Sequence, residues 1–241
     1  MLRNHRRTFW HAALLLASMA IVFVAVGRPP RQNPTATTVP FVGQWDLEVF
    51  RLSDDIRSTP LSAIARALNV IGGGIVTIPL RILVAAWLAW RTRWRALATW
   101  LLAWATAEIV LASAKAFFGR ARPPGPLVDV VGNSFPSGHA VAGAATAVAL
   151  VLVLFPAGRE RRRWEAAAVA FASVMASSRV YLHAHWLSDV VAGVLLGSGV
   201  ALASAAICTE IRDHVLPRAS RETRASALAR DAGPATLPDP G

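Results

Sequence analysis

The stretch SRVYLHAHWLSD, residues 178–189, lies between two of the most apolar runs of the chain and carries one arginine, two histidines and one aspartate. The run before it covers residues 164–182, and the run after it covers residues 186–207. Each run is long enough to cross a hydrocarbon core of about 30 Å as a helix that rises about 1.5 Å per residue. We therefore interpret the polar stretch as a short connection between two membrane-spanning helices.

Four further apolar runs of similar length extend this pattern along the chain. The mean hydropathy is +0.44, and 16% of the 241 residues are charged, against roughly 25% in soluble domains. Six spans are predicted, at residues 9–27, 70–90, 97–117, 139–156, 164–182 and 186–207. The sequence thus predicts an all-α fold, a six-transmembrane-helix bundle in residues 1–211, followed by a cytoplasmic tail, 212–241, that we expect to be disordered.

The net charge of +11 could suggest a nucleic-acid partner, but the basic residues fall in the gaps between spans and form no stripe with interleaved aromatics. Arginines cluster before the first span and after the second, fourth and sixth spans. By the positive-inside rule these connections and both termini are cytoplasmic, in a multi-pass plasma membrane protein. The first run could be a cleaved signal peptide, but its 19-residue length favours a retained helix, and both readings give the same orientation downstream.

Two further features concern the connections and the span interiors. The longest predicted outer connection, residues 28–68, contains FVGQWDLEVFRLSDDIRS at 41–58, whose apolar residues recur at helical intervals. This segment predicts an amphipathic helix at the outer interface or, equally, an ordinary surface helix.

Arg81 and Glu108 lie inside predicted spans, where charges usually need partners, so we predict that they pair with each other. Cys208 is the only cysteine, which excludes a disulfide framework and a cysteine-based metal site.

The connection between the third and fourth spans gathers anion-binding groups. It begins with KAFFGRARP at 115–123 and ends with FPSGHA at 135–140, where the fourth span starts. Lys115 is the only lysine of the chain, and its compact ammonium suits a single phosphate oxygen, whereas Arg122 can bind two oxygens through its planar fork. A helix that starts at Ser-Gly-His offers free N–H groups to an anion, although such a start alone is more often a simple cap.

The opening stretch adds two histidines with different expected roles. His185 and Asp189 are four residues apart, so on a helix the carboxylate can reach one imidazole nitrogen and leave the other free for nucleophilic attack. Arg179 can supply a bidentate contact to phosphate oxygens. His183 is two residues from His185 and points elsewhere, so we expect a loop or interfacial role for it.

These segments resemble the three signatures of the type 2 phosphatidic acid phosphatase superfamily, also called lipid phosphate phosphatases. The matching patterns are K-x6-RP at 115–123, PSGH at 136–139 and SR-x5-H-x3-D at 178–189. The resemblance implies that His185 forms a phosphohistidine, that Asp189 orients it, and that His139 protonates the leaving alkoxide and then activates water. It further implies that the phosphate is bound by Lys115, Arg122, Ser137, Gly138 and Arg179, and that neither a metal nor a cofactor is required.

The expected function is therefore hydrolysis of the terminal phosphate of a phospholipid or polyprenyl (di)phosphate, at the extracytoplasmic interface. Undecaprenyl diphosphate, phosphatidate and phosphatidylglycerophosphate are examples of this substrate class, and the lipid bilayer is the other expected partner. A lipid phosphotransferase on the same scaffold is the alternative. An anion transporter or channel is a remote alternative, because it would need a polar path through the membrane. The sequence leaves the substrate and the oligomeric state open.

Overall fold

The computed structural model describes residues 5–26 and 41–211, and every regular element in these ranges is a helix. The elements are α1 His5–Val26, α2 Phe41–Asp55, α3 Thr59–Gly72, α4 Gly74–Trp90, α5 Trp94–Phe118, α6 Gly138–Leu154, α7 Arg159–Tyr181 and α8 Leu187–Glu210. The all-α prediction is confirmed. The predicted tail, 212–241, and the proline-rich start of the 28–68 connection lie outside the described residues.

Five of the six predicted spans fall on single helices whose ends differ from the prediction by a few residues, and the second, 70–90, crosses from the end of α3 into α4. In the described residues, three helices are long and apolar enough to cross a membrane by length and composition, at Phe9–Val26, Trp94–Phe118 and Leu187–Glu210. A fourth span results if α3 and α4, which meet at an angle of 43°, are counted as one bent span. The α6 helix is apolar but has only 17 residues. The count of six therefore stays a prediction.

The prediction of a loop up to residue 68 is wrong, because residues from Thr59 onward form α3. A proline in the first turn is compatible with a helix start, since its missing N–H has no intrahelical partner there. The helix ends at Gly72, where an added Cβ would lie 2.5 Å from Met175 Sδ and 3.1 Å from the His139 ring. Glycine at this bend therefore lets the junction of α3 and α4 approach α6 and α7 closely.

The α6 and α8 helices form the centre of the bundle and touch through glycine. A Cβ on Gly197 of α8 would lie 2.4 Å from the carbonyl oxygen of Val141, and one on Gly193 would lie 2.9 Å from that of Ser137. The two backbones can approach this closely because glycine has no side chain. At their N-terminal ends the Ser137 N–H donates to the backbone oxygen of Asp189 at 3.0 Å. The packing thus brings the start of α6 against the start of α8.

The predicted pairing of Arg81 with Glu108 is confirmed. Arg81 Nη1 lies 2.6 Å from Glu108 Oε1, joining α4 to α5. The same guanidinium donates to Thr146 Oγ1 at 2.9 Å and to the carbonyl oxygen of Ala142 at 3.2 Å, both on α6. Three helices therefore share one buried cation, whose donors are paired as a charge at this depth requires.

The helix predicted in the 28–68 connection is also present, as α2. Its exposed side carries Trp45 and Leu52, while Asp46 and Ser53 on the other side are buried. The α2 helix packs against α1, α7 and α8. One of its acidic residues therefore points into the protein, where the amphipathic pattern predicted solvent. Its position at a membrane interface stays a prediction.

Candidate active site

His185 lies in the short loop 182–186 between α7 and α8, beside Asp189. Its Nδ1 is 3.5 Å from Asp189 Oδ2, and both side chains are buried. The predicted contact between the two residues is present, but His185 precedes α8, which begins at Leu187, so the pair does not lie on one helical turn as expected. The fold of the loop places His185 beside Asp189, since the N–H groups of Ala184 and His185 both donate to the carbonyl oxygen of Arg179, at 3.1 and 3.3 Å.

The contacts of the His185 ring determine which nitrogen carries the proton. Nε2 lies 3.2 Å from Arg122 Nη1, and a guanidinium only donates hydrogen bonds, so Nε2 is the acceptor and Nδ1 carries hydrogen toward Asp189. Burial lowers the pKa of His185 to about 4, Asp189 opposes this shift, and the charges of Arg122 and Arg179 add to it. The imidazole is therefore neutral near pH 7, with its Nε2 lone pair directed at a cation.

Arg122 is held by backbone carbonyl oxygens of two loops. Its Nε and Nη2 donate to Gly132 and Val131 at 2.9 and 2.8 Å, and its Nη1 donates to Ala184 at 2.6 Å. Burial lowers the pKa of Arg122, while the charge of Asp189 raises it. An arginine remains cationic under such a shift because its ordinary pKa lies far above neutral pH. The loops thus fix a positive fork next to His185.

Lys115, at the end of α5, shares an acceptor with Arg122. Its Nζ donates to the carbonyl oxygen of Asn133 at 2.5 Å, and Arg122 Nη2 reaches the same oxygen at 3.4 Å. The Asn133 amide donates back to the carbonyl oxygen of Lys115 at 3.0 Å. The two cations of the first signature are therefore neighbours, and Lys115 is connected to His185 through Arg122.

The start of α6 supplies the second signature. Ser137 is the N-cap residue, yet its buried Oγ makes no hydrogen bond to the described part of the chain, and Gly138 is the first helical residue. His139 Nε2 donates to the backbone oxygen of Asn69 at 3.1 Å. Arg179 Nη1 donates to the side-chain oxygen of the same asparagine. One residue of α3 therefore holds both His139 and Arg179.

Sequence reasoning missed three polar residues of this site. Asn69 precedes the predicted second span and gave no signal. Arg120 lies at an unspecified position of the first signature, and its Nη1 is 2.6 Å from Asp189 Oδ1. Ser134 Oγ donates to the other oxygen of Asp189, which also accepts from the N–H of Trp186 at 2.9 Å. The carboxylate of Asp189 is thus fully engaged by neighbours that spacing along the chain does not reveal.

His183 faces away from these groups, toward α2. Its Nε2 is 2.9 Å from Ser53 Oγ, and its ring centre is 4.0 Å from that of Phe50. Burial lowers its pKa, which the charge of Asp54 opposes and that of Arg57 reinforces. The two histidines of the loop therefore have separate surroundings, one among the residues predicted to bind phosphate and the other in a helix contact. Over residues 5–26 and 41–211 there is no cluster of three His, Cys, Asp or Glu side chains able to hold a metal ion.

Comparison with known proteins places this arrangement in context. The family model of the PAP2 superfamily matches residues 96–212. A transmembrane PAP2-type phosphatidylglycerolphosphate phosphatase from Bacillus subtilis is similar in structure, with a TM-score of 0.71, 24% identity, and coverage of 85% of this chain and 99% of the other. LpxE from Aquifex aeolicus is similar with a TM-score of 0.55, 26% identity, and coverage of 66% and 93%. The comparison with curated protein sequences gave no match.

Proposed function

We propose that the chain, whose residues 96–212 match the family model of the PAP2 superfamily, is an integral membrane phosphatase acting on lipid phosphates through a phosphohistidine. The observation that carries the proposal is a set of buried polar atoms without hydrogen-bond partners. In the described part of the chain these are Ser137 Oγ and Arg179 Nε, both in the candidate site, and His185 Nδ1, which faces Asp189 at 3.5 Å. A buried donor left unpaired costs about 1 to 3 kcal/mol, so Ser137 and Arg179 suit a ligand rich in acceptor oxygens.

Phosphate matches the charge of this site as well as its donors. Arg122, Arg179 and Lys115 contribute cations, and the start of α6 contributes backbone N–H groups at Gly138 and His139. Positive groups fixed before the reaction stabilise charge that spreads over the phosphoryl oxygens in the transition state. We propose that these residues, with Ser137, hold the phosphoryl group.

The first chemical step uses the lone pair of His185 Nε2. This nitrogen attacks phosphorus, the bond from phosphorus to the leaving oxygen breaks, and the electron pair stays on that oxygen. His139 supplies the proton that the leaving alkoxide or phosphate requires. Asp189 faces Nδ1 and stabilises the positive charge that the ring acquires as the P–N bond forms.

The second step returns the enzyme to its starting state. His139, now neutral, takes a proton from water, and the oxygen attacks phosphorus. The P–N bond breaks, its electron pair returns to His185, and inorganic phosphate leaves. The same histidine thus acts as acid and then as base, and no group beyond water is consumed.

An apolar groove supports a lipid as the carrier of the phosphate. It has a volume of about 400 Å³ and lies between α2, α7 and α8, with Val49, Leu52 and Val191 in its wall. Tyr181 and Leu187, which bracket the loop carrying His185, also line it. Alkyl chains could therefore lie beside the site. The substrate name of the Bacillus subtilis neighbour makes phosphatidylglycerophosphate one candidate, with phosphatidate and undecaprenyl diphosphate as the others. The arginine clusters support an outward-facing site.

The experiment is phosphate release by the purified protein from a panel of lipid phosphates and diphosphates, with no acceptor alcohol present. We expect wild-type protein to release phosphate, His185→Ala to release none, and His183→Ala to retain much of the activity. Acid-labile radioactive phosphate on wild-type protein, absent from His185→Ala, would support the phosphohistidine. Release only after an acceptor lipid is added would favour a phosphotransferase, and release by His185→Ala equal to wild type would refute the assignment.

A further inference from the structure

Asp46 on α2 is a buried carboxylate that contacts the surroundings of Asp189 at three points. Its Oδ2 lies 2.6 Å from Arg120 Nη2 and accepts from Ser188 Oγ at 2.7 Å, and its Oδ1 accepts from the Ser188 N–H at 2.8 Å. Arg120 uses its other terminal nitrogen, Nη1, to contact Asp189 Oδ1 at 2.6 Å. Asp46, Arg120, Asp189 and His185 therefore form a chain in which negative and positive groups alternate.

We propose that Asp46 is a positioning residue for the reaction, acting through Arg120 on Asp189 and thereby on His185. This inference rests on the proposed phosphatase function. Arg120 alone would draw the charge of Asp189 away from the imidazole. Asp46 competes for that same guanidinium and also holds Ser188, the residue before Asp189, so more of the charge of Asp189 remains to stabilise His185. A buried carboxylate is costly unless it is paired, and these pairs satisfy Asp46.

The α2 helix lies outside the three signatures, yet further contacts hold it against the loop 182–186 that carries His185. Ser53 and Phe50 contact His183, as described above. Beyond the helix, the Ser58 N–H donates to the Tyr181 hydroxyl at 3.1 Å. The α2 region therefore contacts residues on both sides of the loop 182–186, Tyr181 before it and Ser188 after it. Asp46 is one contact among several. Removing its charge leaves the helix other points of attachment.

Removing the charge of Asp46 and removing that of Arg120 should shift the pKa of His185 in opposite directions. His185 is faced by Asp189 from α8, by Arg122 from the preceding loop, by Arg179 from α7 and by His139 from α6. In Asp46→Asn the charge of Arg120 is less compensated, so Asp189 supports the imidazolium less and the pKa of His185 falls. In Arg120→Gln the carboxylate of Asp189 is released toward the ring, so the pKa of His185 rises.

The test measures phosphate release against pH for full-length wild type, Asp46→Asn, Arg120→Gln, the double variant and Glu48→Gln, an exposed acidic position on the same helix. Phosphatidate in mixed micelles, or whichever lipid phosphate wild type hydrolyses best, is the substrate. Thermal unfolding is recorded at each pH, so that denaturation is not mistaken for titration.

We expect Asp46→Asn to lower kcat/KM by roughly 10- to 100-fold, mainly through kcat, because small misplacements of a reacting group have effects of this size. The acid limb of the pH profile, where the rate falls as His185 is protonated, should move to lower pH in Asp46→Asn and to higher pH in Arg120→Gln. In the double variant it should return toward the wild-type position. Glu48→Gln should match wild type.

Two results would overturn the proposal while leaving the phosphatase assignment standing. One is wild-type kinetics in Asp46→Asn, and the other is an acid limb displaced in the same direction in both single variants. Arg120→Gln tests the chain without a change in α2, so an unmoved or lowered limb there also overturns it if Asp46→Asn does not fold. No phosphate release by wild type from any lipid would instead refute the proposed function, and the inference with it.

Discussion

Replacing Gly197 by alanine tests whether the close contact of α6 and α8 supports the candidate site. The new Cβ would lie 2.4 Å from the carbonyl oxygen of Val141 and 2.8 Å from the amide nitrogen of Ala145. Both are backbone atoms, so no side-chain rotation can relieve the clash. Because real Cβ contacts essentially never fall below 3.0 Å, the two helices must separate locally by about 0.6 Å or more.

The cost of this separation follows from the packing around it. Adding a methyl group to a tightly packed core costs about 1 to 3 kcal/mol. For a chain of this size each kcal/mol lowers the melting temperature by about 2 to 4 °C. Ser137 and Asp189 lie at the N-terminal ends of the same helices and are joined by a 3.0 Å hydrogen bond. A displacement of about 1 Å can cost roughly 10²-fold in rate, so we expect at least about a tenfold loss of kcat.

The assay compares thermal unfolding in detergent with phosphate release for wild type, Gly197→Ala and Gly143→Ala. Gly143 is the matched control, because a Cβ there would meet only side-chain atoms, the nearest being Met175 Cγ at 3.4 Å. The control should stay within a few degrees of wild type and keep most of its activity. If Gly197→Ala behaves like Gly143→Ala in both measurements, the close glycine contact does not support the site and the reasoning is refuted.

The remaining predictions concern charge, pH and the lipid. Lys115→Arg should lower kcat/KM although it keeps the charge, since a branched guanidinium cannot take the place of an ammonium 2.5 Å from the Asn133 oxygen; a wild-type rate would contradict this. The acid limb that His185 imposes on kcat/KM should lie near pH 4, below the ordinary 6.5, because only the neutral ring attacks. Between pH 6.5 and about pH 4 the free energy of unfolding should decrease as the pH falls, because His185 gains a proton in the unfolded chain but not in the folded one. Circular dichroism melts recorded at several pH values test this. Ser177→Trp, which fills the groove beside the site, should raise KM for a long-chain lipid phosphate but not for a short-chain one, whereas Ser113→Trp, in a separate apolar groove between α1 and α5, should change neither; equal effects would contradict the groove assignment.

Local patterns in the sequence determined a large part of this protein. A run of apolar residues long enough to span a bilayer predicts a helix, because lipid leaves no other partner for the backbone polar groups. Five of the six predicted runs proved to be single helices, while the run 70–90 crosses the break between α3 and α4. The pairing of Arg81 with Glu108 followed from the cost of an unpaired charge at depth. The three signatures likewise named His185, His139 and Asp189 as the candidates for chemistry.

Only the tertiary structure decided what surrounds these residues. Asn69, which holds His139 and Arg179, and Asp46, which reaches Asp189 through Arg120, are far along the chain from their partners and belong to no periodic pattern. The bend at Gly72 and the break between α3 and α4 depend in the same way on Met175 and His139 packing against them. Hydrophobic periodicity records which face of a helix is buried, but it does not record which distant side chain that face meets. The groups that orient the candidate catalytic residues therefore became visible only when the helices were packed together.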